Sequence, residues 1–259
     1  MPEANAGVSS AAREVIESMF DTGEVFDEDY LYFYEPRLSE ASDAQVGLIW
    51  RLLELVPGME VLDLACGHGR ISNRLAEGGA RVTGLDATPP FLERARSDAA
   101  ARGVDVAYVE GDMRALPWEG RFDRVLSWFT SFGYFDDEGN RQVLREARRA
   151  LRPGGMLLIE NNNVVELLGR WLPSVVVERD GDFCIDRSSF DPITARATTE
   201  RVLIRGGRMR RFSYSVRMFV AAELRDWLLD VGFRDVDFYD GEGERLTARG
   251  RRMITIARR

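Results

Sequence analysis

An acid, two glycines and a second acid form the most chemically informative pattern in the sequence: Asp63, Gly67, Gly69 and Asp86. Gly67 and Gly69 lack a Cβ atom, so we expect the backbone at both positions to leave space for a ligand. Asp86 follows about 20 residues after the first glycine, the distance at which a carboxylate on the next strand meets two ribose hydroxyls. This spacing predicts a binding site for a nucleoside.

The residues around this pattern supply the elements that would position it. The run 61–65 is apolar and 71–76 restores helical spacing, so the predicted order is strand, glycine turn, helix. A second apolar run, 81–85, leads to the second acid. A dinucleotide site would have a third glycine where Ser72 stands, and it would not carry Asp63 inside its first strand. Both departures disfavour NAD as the ligand.

The acid of the first strand, followed by Gly67-His68-Gly69, resembles the first motif of class I S-adenosylmethionine-dependent methyltransferases. An Arg-Pro-Gly-Gly turn at 152–155, before an apolar strand, is a second feature of that superfamily. The resemblance extends from Tyr34 to Ala257. It implies S-adenosyl-L-methionine as the cofactor and a Rossmann-like α/β fold with a doubly wound seven-stranded sheet.

The resemblance also implies which residues bind the cofactor. Asp112 would accept a hydrogen bond from the exocyclic amine of adenine, and Met113 would lie against the ring as a polarizable surface. Tyr34 and Arg37 match a tyrosine and an arginine that hold the methionine end of the cofactor in methyltransferases of nucleotide-linked amino sugars. A guanidinium suits a carboxylate bidentately. The full predicted set is Tyr34, Arg37, Asp63, Ala65, Gly67, Gly69, Asp86, Ala87, Asp112, Met113, Trp128 and Phe129.

The aromatic stretch 127–135, Ser-Trp-Phe-Thr-Ser-Phe-Gly-Tyr-Phe, follows the fourth predicted strand. It resembles the corresponding stretch of sugar N,N-dimethyltransferases and, more loosely, of glycine N-methyltransferase. In those enzymes the segment surrounds the sulfonium and begins the acceptor pocket, so Tyr134 is expected to face the acceptor. Tyr134 and Tyr34 are therefore the candidates for a catalytic role, whereas Phe132 is expected in the core.

Residue patterns divide the chain into three parts. Residues 1–45 would form a helical, aromatic lid, although the rings between 27 and 37 would suit the edge of a core equally well. Residues 46–173 and 220–259 would form the cofactor-binding core, with a helix over 43–55 leading into its first strand. Alternating residues and turn signals between 174 and 219 predict an inserted antiparallel β-sheet of about four strands. Such an insert would cover the acceptor or pair the subunits of a homodimer.

The composition limits the partners of the protein. With a net charge of −8, a general nucleic-acid surface is not expected. All 35 basic residues are arginines, and those at 196–217 and 245–259 would form either solvated faces or a local basic surface. Nothing resembles a signal peptide or a membrane span, which predicts a cytoplasmic protein without a membrane partner. Neither the two cysteines nor any acid cluster predicts a metal site.

The scarcity of bases guides the predicted chemistry. The single histidine, His68, lies inside the glycine turn, so a histidine general base beside the acceptor is not expected. A desolvated, neutral amine attacks a methyl group without such a base. The leading prediction is therefore N-methylation of an amine on a small molecule, an amino sugar or a natural-product intermediate, by in-line transfer that depends mainly on proximity.

Three alternatives remain open from the sequence. The first is O- or C-methylation of a phenolic or heterocyclic metabolite. The second is a modification protein that binds tRNA or rRNA through its arginine-rich insert, with an affinity that falls steeply with salt. The third is a cofactor-binding protein without turnover.

Overall fold

The computed structural model describes residues 22–259, apart from the side chain at position 37. The helices are α1 (Thr22–Val25), α2 (Glu28–Leu52), α3 (Ser72–Glu77), α4 (Pro89–Arg102), α5 (Asp137–Ala150), α6 (Val164–Gly169) and α7 (Ala221–Val231). The strands are β1 (Glu60–Leu64), β2 (Arg81–Asp86), β3 (Ala107–Glu110), β4 (Phe122–Ser127), β5 (Leu151–Asn162), β6 (Ser174–Arg179), β7 (Asp182–Asp191), β8 (Arg196–Arg205), β9 (Arg208–Arg217), β10 (Arg234–Tyr239) and β11 (Arg252–Arg258).

A seven-stranded sheet, ordered β10-β11-β5-β4-β1-β2-β3, forms the centre of the molecule. β1 pairs in parallel with both β2 and β4, so that Asp63 lies between Gly84 and Leu126. Val61 and Leu62 project into apolar clusters on opposite faces, one formed with α2 and α3 and the other with α5 and α7. A strand buried on both faces is mostly apolar, and in β1 the buried Asp63 is the exception. The predicted doubly wound fold is confirmed.

The inserted segment forms a second, antiparallel sheet in the order β6-β7-β8-β9. β7 and β8 pair without interruption from Phe183 opposite Ile204 to Asp191 opposite Arg196. Turns with positive φ at 180–181 and 206–207 connect neighbouring strands, and glycine adopts such angles without steric cost. The four strands lie within the predicted range 174–219, which confirms the insert.

Helix α2 begins well before the predicted range 43–55 and includes the aromatic segment. Asp27 is its N-cap and accepts a hydrogen bond from the backbone N–H of Tyr30 at 3.0 Å. The helix then continues through Pro36. A proline in a helix interior costs about 3 kcal/mol, so packing of this stretch must hold the helix continuous. The predicted boundary between lid and core at residue 45 falls inside this single helix.

The N-terminal half of α2 packs on the inserted sheet. Phe33 is buried in a cluster with Cys184 and Leu203. Asp29 forms an ion pair with Arg205 at 2.8 Å. The described part of the predicted lid is therefore joined to the insert by both apolar and charged contacts, while residues 1–21 lie outside the described structure.

Strand β5 begins at Leu151, earlier than expected from the Arg-Pro-Gly-Gly turn. The pairing of β4 with β5 shifts register between Phe122 opposite Leu151 and Arg124 opposite Met156, so the turn residues form an irregular stretch within the strand. Gly154 adopts a φ of +78° there. This stretch lies far from the carboxyl end of the strand and takes no part in the site.

Between residues 22 and 259, none of the helices combines the length and apolarity needed to cross a membrane.

Candidate cofactor and acceptor site

A cavity of about 880 Å³ lies beside the carboxyl ends of the central strands. β1 and β4 are neighbours in the sheet but distant in the sequence, and this is the position at which doubly wound sheets bind ligands. Most of the residues predicted for the site line this one cavity. They are Tyr34, Asp63, Ala65, Gly67, Asp86, Ala87, Asp112, Met113, Trp128, Phe129 and Tyr134.

Asp86 organises the glycine turn. Its Oδ2 accepts a hydrogen bond from the backbone N–H of Gly67 at 2.8 Å, and its Oδ1 accepts one from Thr88 at 2.9 Å. A carboxylate has about four acceptor positions, so two remain for other donors. Burial raises the pKa of Asp86, while the two backbone hydrogen bonds act in the opposite direction. Gly67 adopts a φ of +56°, and a Cβ there would meet only Phe91, at 3.8 Å.

Gly69 has a different role from the one expected. It does not line the cavity. A Cβ at this position would overlap the hydroxyl of Tyr108 and approach Ala95 Cβ to 2.8 Å. The expectation that Gly69 leaves space for the ligand is corrected, because the space that it leaves is filled by β3 and α4.

Asp63 is almost fully buried at the end of β1 and lines the cavity. Its Oδ2 accepts a hydrogen bond from the hydroxyl of Ser72 at 2.6 Å. Burial raises the pKa of Asp63 to about 7, against the opposing effects of the Ser72 hydrogen bond and the Arg70 charge. Because proton loss would occur near neutral pH, a cationic ligand that binds here would favour the ionised form.

Arg70 was missed in the sequence analysis. It is 9% exposed, lines the cavity and donates hydrogen bonds from Nη1 to Gln45 Oε1 at 2.6 Å and to Ser42 Oγ at 3.2 Å. Its Nη2 is buried and has no hydrogen-bond partner among the residues that the structure describes. A buried charged donor without an acceptor is costly, so the guanidinium suits an anionic group of a ligand. Its position directly after Gly69 was the available signal, but one arginine among 35 basic residues does not stand out.

Asp63 and Arg70 thus present opposite charges to the same cavity. An amino acid carries an ammonium and a carboxylate on one carbon, and this pair of side chains complements both. The glycine turn and Asp86 complement a ribose at the neighbouring position. Together these groups fit an S-adenosyl-L-methionine molecule.

The predicted adenine contacts lie after β3. Asp112 accepts hydrogen bonds on both carboxylate oxygens from the side chain of Arg114, the shortest at 2.7 Å. Although burial alone would raise the pKa of Asp112, these hydrogen bonds lower it, so the group is an ionised acceptor. Met113 is buried and lines the cavity. Both residues line the cavity, and their contacts to adenine stay predictions.

The hydroxyl of Tyr34 points to the inserted sheet and is engaged there. The Tyr34 hydroxyl accepts a hydrogen bond from Arg201 Nη2 at 3.1 Å and donates one to Asp186 Oδ2 at 3.4 Å. It therefore belongs to a polar network with the inserted sheet, although its ring lines the cavity. The side chain of Arg37 lies outside the described structure, so its predicted contact with the methionine carboxylate stays a prediction.

Three non-glycine residues beside the cavity have positive φ angles: Ala65 at 56°, Phe129 at 64° and Thr130 at 57°. Each such angle costs on the order of 1 to 3 kcal/mol and requires support from surrounding contacts. The side chain of Glu160 on β5 accepts a hydrogen bond from the Phe129 N–H at 2.6 Å, and its backbone carbonyl accepts one from Thr130 at 3.0 Å. β5 therefore holds the loop after β4 in its strained form.

The far end of the cavity is aromatic. Tyr134 stacks on Tyr214, with ring centroids 6.4 Å apart, and meets the edge of Phe26 at 5.6 Å. Burial raises the pKa of Tyr134, so its phenol stays protonated. Two hydroxyls of the insert, Ser188 and Thr199, also line this end and bond to each other at 2.9 Å. Phe132, by contrast, is buried in the core as expected.

The buried charged group of the insert at this end is paired within the protein. Arg201 binds Asp186 bidentately, with both distances 2.7 Å. Burial lowers the pKa of His68 to about 4, which keeps this residue of the glycine turn neutral. Among the described residues, no group of three or more histidine, cysteine, aspartate or glutamate side chains is placed to hold a metal ion.

The chain is similar to known methyltransferases. Residues 61–155 match a family described as a methyltransferase domain. A cypemycin N-terminal methyltransferase from Streptomyces sp. is 32% identical over 208 residues, which cover 78% of this chain and 84% of the relative. The structure of the CcbJ methyltransferase from Streptomyces caelestis is similar, with a TM-score of 0.70 and 24% identity over 85% of this chain and 95% of that chain. The sugar N-methyltransferase KedS8 from Streptoalloteichus sp. ATCC 53650 has a TM-score of 0.65 and 23% identity over 89% and 92%.

Proposed function

The chain belongs to the S-adenosylmethionine-dependent methyltransferases, and on that premise we propose that it methylates the nitrogen of an amine on a small molecule. The bound cofactor supplies an electrophilic methyl group on a sulfonium. Asp86 and the glycine turn would hold its ribose, Asp112 and Met113 its adenine, and Asp63 with Arg70 its amino acid end.

One observation carries the choice of an amine. Beside the aromatic end of the cavity, Asp186 is bound by Arg201 and Tyr134 stays protonated. Asp136, which also lines the cavity, is the N-cap of α5 and accepts a hydrogen bond from the Gly139 N–H. An alcohol or phenol would need one of them as a base to remove its proton. An amine that becomes neutral on desolvation has its own lone pair and loses its proton after the transfer.

In this proposal the chain accelerates the transfer mainly by positioning the acceptor beside the methyl group. The aromatic rings of Tyr134, Tyr214 and Phe26 exclude water and orient the acceptor. Oriented reactants gain on the order of 7 to 11 kcal/mol over free reactants in solution. The name of the cypemycin N-terminal methyltransferase places its reaction at an N terminus, and that relative supports an amine acceptor here.

The arginines of the insert favour a small molecule over RNA. Arg205 pairs with Asp29, Arg210 with Asp27, and Arg217 with Glu223. Guanidiniums bound by carboxylates of the same chain are poorly placed to neutralise phosphates. These pairs hold the insert on the rest of the protein.

The test uses tyramine, which carries a primary amine and a phenol in one molecule. The protein is incubated with methyl-labelled S-adenosyl-L-methionine, and fragmentation in mass spectrometry locates the label. We expect labelled N-methyltyramine, with a rate that rises with pH as the amine becomes neutral. Label on the phenol oxygen or ring carbon would overturn N-methylation, and Asp86→Ala serves as the control for cofactor-dependent transfer.

A further inference from the structure

One side of the cavity is apolar and extends to the protein surface. It is lined by four residues that lie between α6 and the first residues of β6: Leu167, Trp171, Leu172 and Val175. We call these four residues the apolar lip. Leu172 is 64% exposed and Val175 is 44% exposed. Trp171 lies near Phe190 of the insert, with ring centroids 6.2 Å apart. Large apolar side chains exposed together at the rim of a cavity indicate a surface that a ligand covers.

The interior wall behind the lip is also apolar. Leu167 packs with Val216 and Met218, in a cluster that includes Tyr134 and Tyr214. The hydroxyls of Ser188 and Thr199 form a hydrogen bond with each other within this wall. An acceptor that enters past the lip therefore meets rings and aliphatic side chains before it reaches Tyr134.

The charges around the cavity argue against an anionic acceptor. Among the described side chains, five arginines line the cavity: Arg70, Arg114, Arg170, Arg201 and Arg252. Four of them pair with carboxylates of this chain, Arg114 with Asp112, Arg170 with Glu166, Arg201 with Asp186 and Arg252 with Glu160. The fifth, Arg70, lies beside Asp63 at the proposed amino acid end of the cofactor site.

A diphosphate is bound in proteins by charge-assisted donors. Arg201 could serve as such a donor only if its buried pair with Asp186 were broken. The carboxylate would then be left unpaired, which is strongly unfavourable. Among the described residues that line the cavity on the insert side, the buried guanidinium of Arg201 is therefore committed to Asp186, whereas Arg170 pairs with Glu166 at the surface.

We propose that the acceptor is an amine on an uncharged, apolar alkyl or aromatic scaffold, and that the apolar lip binds this scaffold while the amine reaches Tyr134. This inference rests on the proposed N-methylation. It excludes amino sugars that are linked to a nucleotide. The lip sets the specificity, and the cofactor residues are independent of it.

The probe is dansylcadaverine, a primary alkylamine with a fluorescent aromatic group. It is titrated into the full-length protein saturated with S-adenosylhomocysteine, and fluorescence reports binding without turnover. We expect saturable binding that Leu172→Ser weakens on the order of tenfold, because part of the buried apolar area is lost. Leu172 is mostly exposed, so its replacement leaves the fold intact.

Ile193→Ser is the matched control, because Ile193 is 93% exposed at the turn between β7 and β8 and does not line the cavity. Its affinity for the probe should equal that of the unmodified protein. Thymidine diphosphate should not displace the probe. The proposal is overturned by a lack of saturable binding, by an unchanged affinity of Leu172→Ser, or by displacement with thymidine diphosphate at micromolar concentration.

A mass measurement after addition of S-adenosyl-L-methionine separates this inference from the proposed function. A probe that binds at the lip and gains no methyl group on nitrogen overturns N-methylation but supports the apolar acceptor. N-methylation confined to a nucleotide-linked amino sugar supports the proposed function and overturns the apolar acceptor.

Discussion

The backbone N–H of Gly67 donates a hydrogen bond to Asp86 Oδ2 at 2.8 Å and thereby joins the turn after β1 to the end of β2. The same carboxylate orients the first turn of α4 through Thr88. One side chain thus fixes two loops that border the cofactor side of the cavity. Its remaining acceptor positions are the ones assigned to the ribose.

Asp86→Ala removes both the hydrogen bond from Gly67 and the carboxylate assigned to the ribose. We expect the free energy of S-adenosylhomocysteine binding to weaken by on the order of 1 to 3 kcal/mol, because the donors would be left unpaired. Isothermal titration calorimetry measures the affinity, and a thermal melt shows whether the protein stays folded. A folded variant with unchanged affinity would contradict the ribose assignment.

Arg70→Met should weaken cofactor binding on the order of tenfold or more, since the carboxylate would lose a charge-assisted donor. Methionine keeps an unbranched side chain of similar reach in the buried position. Arg102→Met is the control, because Arg102 pairs at the surface with Glu77 and does not line the cavity. Equal affinities of the two variants in the same calorimetric assay would exclude Arg70 from the site.

Asp63 predicts a pH dependence of cofactor binding. Burial raises the pKa of its carboxyl to about 7, so below that pH the group is protonated and cannot pair with an ammonium. Affinity should therefore increase as pH rises from 6 to about 7.5 and then level off, before the ligand's own amino group titrates near 8. Asp63→Asn should bind more weakly at pH 7.5 and show no rise over this range. A rise that persists in the variant would assign the titration to another group.

Tyr134→Phe should lower kcat roughly fivefold while leaving cofactor affinity unchanged, because the hydroxyl is assigned to the acceptor and one hydrogen bond contributes about 1 kcal/mol. Tyr239→Phe provides the comparison, since Tyr239 lies on β10 and does not line the cavity. Steady-state kinetics with the labelled methyl donor measures both. Wild-type kinetics in Tyr134→Phe would remove this hydroxyl from the acceptor site.

Gly69→Ala tests the packing role assigned to Gly69. The new methyl group would overlap Tyr108 at a φ of +76°, so we expect a loss of about 2 to 4 kcal/mol in the free energy of unfolding. Gly103→Ala has a similar φ of +68° but open space around the added atom, and should cost about 1 to 2 kcal/mol. Denaturant midpoints compare the two. Equal losses would show that the backbone angle alone requires glycine at position 69.

Local features of the sequence were sufficient to place the glycine turn and the second acid. The turn at Gly67, the carboxylate of Asp86 and the helix that starts at Pro89 all lie within one short stretch, and the structure places them as expected. Helical spacing, apolar runs and glycine at positive φ depend on neighbours in the chain. The seven-stranded fold follows from the order of these elements.

The aromatic helix shows where local reasoning fails. Sequence spacing predicts a helix over 43–55 and a separate lid, whereas the structure has one helix that begins at Glu28. Phe33 is buried against Cys184 and Leu203, two residues of the insert that lie 151 and 170 positions further along the chain. Contacts of such separation have no periodic signature in the sequence.

The sequence by itself determined a nucleoside site, because a strand, a glycine turn and an acid at fixed spacing are properties of adjacent residues, and the family resemblance of these motifs implied the cofactor and the fold. Only the tertiary structure decided that Arg70 is buried with a guanidinium nitrogen unpaired among the described residues, that Gly69 faces protein, and that Arg201 is neutralised by Asp186. Burial and pairing depend on segments that folding brings together. For that reason the aromatic end of the cavity is formed only when folding brings the insert and α2 together.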